Sequence, residues 1–158
     1  MPTIMQLKNL SPQVETAIRA ANDHALMLGR TYIGAEDLLF GLMYSKPGDF
    51  PTRVADIIQK GFGVSRIDVH EATKMIGARP IANLAKDLVL IDSIQFTNGV
   101  ERALRYAERE ASESQLTRFD AMIGLIASRD AILFHILKEL DIDPVQLEFL
   151  MKNPLALP

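Results

Sequence analysis

The chain has 158 residues, 48% of them hydrophobic and 23% charged, and its formal net charge at pH 7 is −3. These values are typical of a globular domain, and the slightly acidic balance with scattered Lys and Arg argues against nucleic-acid binding. The absence of cysteine excludes disulfides, thiolate zinc sites and a cysteine nucleophile.

The sequence also lacks the segments that carry a chain into or across a membrane. No apolar run approaches the roughly 20 residues that span a bilayer, and the N-terminal stretch lacks the apolar centre of a signal peptide. We therefore expect a cytoplasmic protein without membrane contacts, or one that resides in an organelle after loss of a transit peptide.

Helical spacing dominates the chain. Apolar residues recur three and four apart after Ser11, a favoured N-cap residue, and Pro12, which suits a first turn. Seven further segments show the same periodicity between Gly, Pro or capping residues. The eight predicted helices cover residues 12–28, 35–44, 52–60, 66–76, 98–112, 119–128, 131–140 and 144–151, the last with Asp143 as its cap.

Two segments interrupt this pattern. Residues 45–51 combine Pro and Gly and predict a surface loop. Residues 77–95 predict a linker between two halves, although it is too apolar to lie in water. Within the linker, either residues 82–90 form a short extra helix or the Val-Leu-Ile run lies extended along the core, and the pattern favours neither. Strand signals are almost absent.

The two halves of the chain repeat each other. The first predicted helix aligns with the fifth in a single register, and residues 37–43 align with 120–126 if the second half has a corner about three residues shorter. Neither helix of such a unit can bury its apolar stripe alone. We therefore predict a single all-α domain of two pseudo-symmetric four-helix repeats, residues 10–76 and 96–151.

The motif Tyr-Ile-Gly-Ala-Glu-Asp-Leu-Leu-Phe-Gly-Leu at residues 32–42, inside this doubled unit, resembles the Clp repeat, the N-terminal domain of ClpC- and ClpA-type unfoldases. The resemblance covers residues 10–151 and implies a domain that receives adaptors or substrates for an ATPase ring. Because the chain has no Gly-x-x-x-x-Gly-Lys-Ser/Thr loop, we do not expect it to be the ATP-driven motor. We expect either an excised N-terminal domain or a free-standing accessory protein, and the initiator Met and natural-looking end favour the latter.

The resemblance also points to binding residues. In ClpC-type domains the glutamate that matches Glu36 helps to bind phosphorylated arginine on tagged substrates. A carboxylate can pair with the guanidinium, while N–H groups at the start of the first helix would face the phosphate. Alternatively, Glu36 only complements the positive end of its own helix. The predicted partner or phosphoarginine site comprises Ser11, Gln13, Val14, Glu36, Asp37 and, from the loop, Phe50.

In the second half of the chain, Phe119 takes the place of that glutamate. A phenyl ring cannot pair with a guanidinium, so at most one of the two family sites is intact. The loop 46–51 is a further candidate because it is longer than its counterpart and carries Phe50, which should be exposed.

The histidines and methionines are better explained by structure than by chemistry. No two histidines are four residues apart and no cysteine could complete a metal site. His24 and His70 should lie on solvated helix faces, and His135 should be partly buried. In the fourth helix, Ile67, Val69, Ala72 and Met75 or Ile76 should face the core, and Met43 and Met122 are also predicted core residues.

These features predict a non-enzymatic binding module with no catalytic residue, cofactor or metal. Its partners would be Clp ATPase or protease subunits together with adaptor or substrate proteins, docked in the groove between the repeats and near Glu36 and the loop 46–51. Two other functions fit the sequence. One is a structural subunit that stabilises a Clp complex, and the other is a decoy that sequesters ligands of the ATPase.

Overall fold

The computed structural model describes residues 10–76, 84–85, 94–111 and 115–156. Within these ranges the chain is helical, with two strands of two residues each and a short 3₁₀ turn at its end, which confirms the predicted all-α fold. The elements are α1 (Pro12–Met27), β1 (Tyr32–Ile33), α2 (Ala35–Leu42), α3 (Arg53–Phe62), α4 (Arg66–Ile76), β2 (Gln95–Phe96), α5 (Asn98–Ala111), α6 (Arg118–Ser128), α7 (Ala131–Glu139), α8 (Pro144–Lys152) and the 3₁₀ turn (Pro154–Ala156).

Local capping explains where these helices begin. The Ser11 hydroxyl accepts the backbone N–H of Val14 at 3.3 Å, and Asp143 accepts that of Val145 at 3.0 Å. Thr117 and Asp120 form a reciprocal capping box at the start of α6. Each of these side chains satisfies an N–H group that has no partner within the helix.

The first two helices of each half pack closely through a glycine. A Cβ atom at Gly41 in α2 would overlap the carbonyl oxygen of Ala17 in α1, and one at Gly124 in α6 would overlap that of Ala103 in α5. The duplication aligns these residues pairwise. The same glycine contact therefore holds each helix pair together, and apolar side chains from both halves form one core.

Short backbone pairings join the halves crosswise. β1 pairs in parallel with β2, with Ile33 opposite Phe96, and the N–H of Ser11 donates to the carbonyl of Leu116 at 3.2 Å. The start of α1 thus lies beside the start of α6, and the start of α2 beside the start of α5. Strands of two residues are too short to show the alternation by which strands are recognised in a sequence.

Part of the linker is described. The N–H of Ala85 donates to the carbonyl of Phe96 at 2.7 Å, and Leu84 forms a bridge with Thr97. These two residues are therefore not helical. The rest of the predicted extra helix, 82–83 and 86–90, and the Val-Leu-Ile run lie outside the described residues.

In α4 the core prediction for Ile67 is wrong, and of the two alternatives at the end of the helix Met75 is exposed whereas Ile76 is half-buried. Ile67 is 68% exposed and Met75 is 74% exposed, whereas Val69, Ala72 and Thr73 are buried. Ile67 precedes Val69 by two residues and Met75 follows Thr73 by two, which places each about 200° around the helix from a buried neighbour. The predictions for Met43 and Met122 are confirmed, since both are buried.

Candidate functional site

The predicted carboxylates Glu36 and Asp37 lie in the first turn of α2, where both are buried. Asp37 accepts the N–H of Gly34 at 2.9 Å and thereby caps its own helix. It also accepts two bonds from the Arg30 guanidinium, at 2.7 and 2.8 Å, and one from Nδ1 of His24 at 2.7 Å. Asp37 therefore ties α1, the corner after it and α2 together.

Glu36 is paired with a guanidinium that belongs to the chain itself. Its side chain is 1% exposed, and its Oε1 lies 3.4 Å from Nη1 of Arg30. The burial of this carboxylate and its ion pair with Arg30 both oppose the approach of an external arginine. Recognition of phosphoarginine by Glu36 thus stays a prediction, and the geometry adds Arg30 as a competitor that sequence patterns did not indicate.

Glu36 and the start of α1 were expected to act together, and this expectation is wrong. His24, near the C-terminal end of α1, contacts Asp37, whereas Ala17 contacts Gly41 further along α2. The two helices are therefore antiparallel. Pro12 and His24 are separated by about 18 Å along the helix axis, so Ser11, Gln13 and Val14 lie far from Glu36.

The predictions for His24 and His135 are also wrong. His24 is buried rather than solvated, because its ring is stacked on Phe40 at 4.1 Å between centroids and its Nε2 lies 3.0 Å from Nδ1 of His70. His70 is half-buried at the edge of this cluster. His135 is 54% exposed rather than partly buried, and its Nε2 lies 3.7 Å from Glu139.

The start of α1 instead borders a groove between the two repeats. This inter-repeat groove has a volume of about 730 Å³ and is formed by the start of α1, the segment between α2 and α3, and the start of α6. Ser11, Gln13 and Phe50 line it, together with Phe119. Val14 does not, because its side chain is fully buried and its N–H is bonded to Ser11. Three of the six predicted site residues therefore come together here.

Arg118 is the best-anchored cation of the inter-repeat groove. Its Nη1 donates to the carbonyl oxygens of Gly41, Leu42 and Tyr44 at 3.2, 2.8 and 3.0 Å. Burial lowers the pKa of this guanidinium, yet an arginine keeps its charge in proteins. The sequence gives no sign of this role of Arg118, because its partners are 74 to 77 residues away in the chain.

The groove combines exposed apolar surface with hydrogen-bonding groups. Phe50 is 94% exposed, which confirms the predicted exposure of this loop residue. Phe119 is half-buried at the position of the family glutamate. Such a surface suits a protein segment that brings apolar and polar groups together.

Two negative observations concern the described residues alone. No group of three or more His, Asp or Glu among them is arranged to hold a metal ion. None of the described helices is both long and apolar enough to cross a membrane.

An all-α domain of two repeats with a groove between them defines the structural class, and comparison with known proteins defines the family. The model of the Clp repeat (R) N-terminal domain matches residues 9–140. The chain therefore belongs to the Clp repeat family, whose domains are generally interaction modules of the Clp system rather than catalytic units. No curated protein matches the sequence significantly.

Solved structures show the same fold. The N-terminal domain of ClpD, the caseinolytic-protease-associated chaperone of Arabidopsis thaliana, is similar with a TM-score of 0.71 and 19% identity, over 94% of this chain and 96% of that one. A structure from preliminary investigations of a malarial protein secretion system is similar with a TM-score of 0.61 and 16% identity, over 92% of this chain and 94% of that one. At such identities the similarity shows the fold alone.

Proposed function

We propose that this chain is a non-enzymatic module of the Clp protease system that binds segments of adaptor or substrate proteins in the inter-repeat groove. The observation that carries the proposal is the groove itself, about 730 Å³ in volume and lined by residues of both repeats. A cleft of this size accommodates several side chains of a bound segment. Its exposed Phe50 supplies the kind of aromatic anchor that dominates many protein interfaces.

The inter-repeat groove is more accessible to a ligand than the carboxylate of Glu36. Glu36 is 1% exposed and paired with Arg30, so a ligand there would have to enter a buried position and compete with an existing ion pair. In the groove, Phe119 offers no carboxylate to a guanidinium. We therefore propose that binding does not depend on phosphoarginine, and that Clp ATPase or protease subunits receive the bound protein or hold the module itself.

Affinity capture with two phenylalanine variants tests this function. Phe50→Ala removes an exposed ring from the groove, and Phe149→Ala removes a ring that is 55% exposed on α8. Neither change should affect folding, because both rings lie largely in solvent. With the purified chain immobilised, we expect Clp ATPase or protease subunits and their client proteins to be retained from native lysate by wild type and Phe149→Ala, and to be lost with Phe50→Ala.

Two outcomes contradict the proposal. If Phe50→Ala and Phe149→Ala retain the same Clp proteins in the same amounts, the inter-repeat groove is not the binding surface. If Phe149→Ala alone loses Clp subunits that wild type holds in fixed ratio, the chain is a structural subunit attached through α8.

A further inference from the structure

We propose that the inter-repeat groove continues along α1 as a binding face for an extended acidic protein segment with apolar anchor residues. This inference rests on the proposed binding function and names the chemical class of its ligand. It is carried by the continuity of two cavities, by the charge of their walls, and by how two arginines are held.

A second cavity extends the inter-repeat groove along α1. It has a volume of about 510 Å³ and shares Thr16, Tyr44 and Lys46 with the first. Together the two cavities follow α1 from Gln13 to Met27, about 21 Å along the helix axis. An extended chain rises about 3.3 Å per residue, so this face spans roughly six residues of a bound segment.

The face has the opposite charge to the chain as a whole. Its walls carry five basic side chains and two acidic ones, whereas the whole chain has a formal net charge of −3. A concentration of one sign in a cleft attracts and orients a ligand of the other sign. The basic residues are Arg19, Lys46, Arg53, Arg66 and Arg118, and the acidic ones are Asp23 and Asp49.

Two of these arginines are held in place by other groups. The Arg66 guanidinium lies 5.2 Å from the ring centroid of Phe40 and 5.2 Å from that of Tyr44. A guanidinium stacked on aromatic rings keeps its in-plane N–H donors, which match the geometry of a carboxylate. Arg118 is fixed by three carbonyl oxygens that occupy its Nη1, so it contributes its positive charge to the face rather than these donors. Binding a carboxylate therefore requires little further ordering of these side chains.

Apolar side chains lie in both cavities. Phe50 in the inter-repeat groove is 94% exposed, and Met27 in the second cavity is 63% exposed. Single-stranded nucleic acid is the other common polyanion, but it needs exposed aromatic rings on which bases can stack. Of the phenylalanine and tyrosine rings on this face only that of Phe50 is exposed, and those of Phe40 and Tyr44 contact the guanidinium of Arg66, so successive bases would find no row of exposed rings. The surface therefore favours an acidic peptide.

Paired charge reversals test this inference. Lys46 and Arg53 are exposed on the face, and Lys138 and Arg109 are exposed elsewhere, so K46E/R53E and K138E/R109E change the net charge equally. The probe is a fluorescein-labelled peptide of about ten residues in which Asp and Glu surround one Phe, measured by fluorescence anisotropy at low and high salt. A peptide with Lys in place of Asp and Glu, and an oligothymidylate of similar length, are the comparison ligands.

We expect the acidic peptide to bind wild type and K138E/R109E equally, to bind K46E/R53E at least about tenfold more weakly, and to lose affinity with salt. The basic peptide should not bind. Equal binding by the two double variants, or equal binding of the acidic and basic peptides, would overturn the inference. Tighter binding of the oligothymidylate than of the acidic peptide, lost in K46E/R53E, would replace it with a nucleic-acid face. The capture of Clp proteins from lysate is measured independently of these peptides, so the two proposals can fail separately.

Discussion

Asp37 shows how one side chain determines the geometry of the first repeat. It joins the N–H of Gly34, the guanidinium of Arg30 and the ring of His24, which belong to three different segments. The family motif indicated an acidic residue at this position, but the motif contains neither Arg30 nor His24. The partners of a buried carboxylate depend on tertiary packing and could not be predicted from the sequence.

Asp37→Ala tests how much this hydrogen-bond network contributes to the free energy of unfolding. The change leaves His24 and a largely buried Arg30 without their main acceptor, and breaking a buried charge pair costs about 3 kcal/mol or more of unfolding free energy. Urea denaturation followed by circular dichroism measures the loss. As a control, Asp56→Ala removes an exposed pair with Lys60 at 3.1 Å and should cost less than about 1 kcal/mol. Similar losses in both variants would contradict the structural role of Asp37.

His70, which contacts His24, makes the first repeat sensitive to pH. The Asp37 carboxylate can only accept, so Nδ1 of His24 carries a proton, and a single proton serves the contact between Nε2 of His24 and Nδ1 of His70. Burial, and then the charge of His24, lower the pKa of His70 below its ordinary 6.5, while Glu71 raises it and Lys74 lowers it further.

A lowered pKa in the folded state means that the unfolded chain binds the proton of His70 more tightly. The contribution of this group is therefore complete above its ordinary pKa of 6.5 and is lost as the pH falls below that value. We expect the urea concentration at the unfolding midpoint to decrease as the pH is lowered from about 7.5 to about 5.5. In His70→Gln this decrease should be smaller. His135→Gln, at an exposed position, is the control. An unchanged pH profile in His70→Gln would contradict the lowered pKa.

At the scale of elements, the eight helix positions are predictable because their signals are local. Ser11, Thr52 and Asp143 cap the helices that follow them, and every predicted helix boundary lies within two residues of the observed one. The arrangement of the elements is less predictable. The two halves cross through strands of two residues and one isolated bridge, so the start of α1 faces the second repeat instead of Glu36.

Arg118 provides the most specific link between elements of different repeats. It closes the C-terminal end of α2 from the start of α6 through three carbonyl groups. Arg118→Met keeps most of the apolar stem but removes the donors, and we expect a loss of about 2 kcal/mol in unfolding free energy. Arg102→Met removes one bond of 3.4 Å from an exposed arginine and should cost less than about 0.5 kcal/mol. Equal unfolding midpoints for wild type and Arg118→Met would contradict this capping role.

At the scale of the molecule, the duplication predicted the shared core, since aligned residues such as Gly41 and Gly124 make equivalent contacts. The sequence also indicated two differences between the repeats, the longer loop of the first and Phe119 in the second, but not that they border one groove together with Arg118. The first repeat has a long segment between α2 and α3 that ends near Phe50, whereas Arg129 and Asp130 alone separate α6 from α7. That asymmetry, together with Phe119 and Arg118, builds the inter-repeat groove on one side of the domain.

Photo-crosslinking from the groove tests the central claim most directly. A benzophenone-bearing amino acid is placed at position 50 and, in a second protein, at position 149 on α8, both of which are exposed. After irradiation in native lysate, crosslinked partners are identified by mass spectrometry. The account predicts crosslinks from position 50 to Clp ATPase or protease subunits and their client proteins, with few from position 149. Crosslinks to Clp proteins from position 149 alone, or none from position 50, would contradict it.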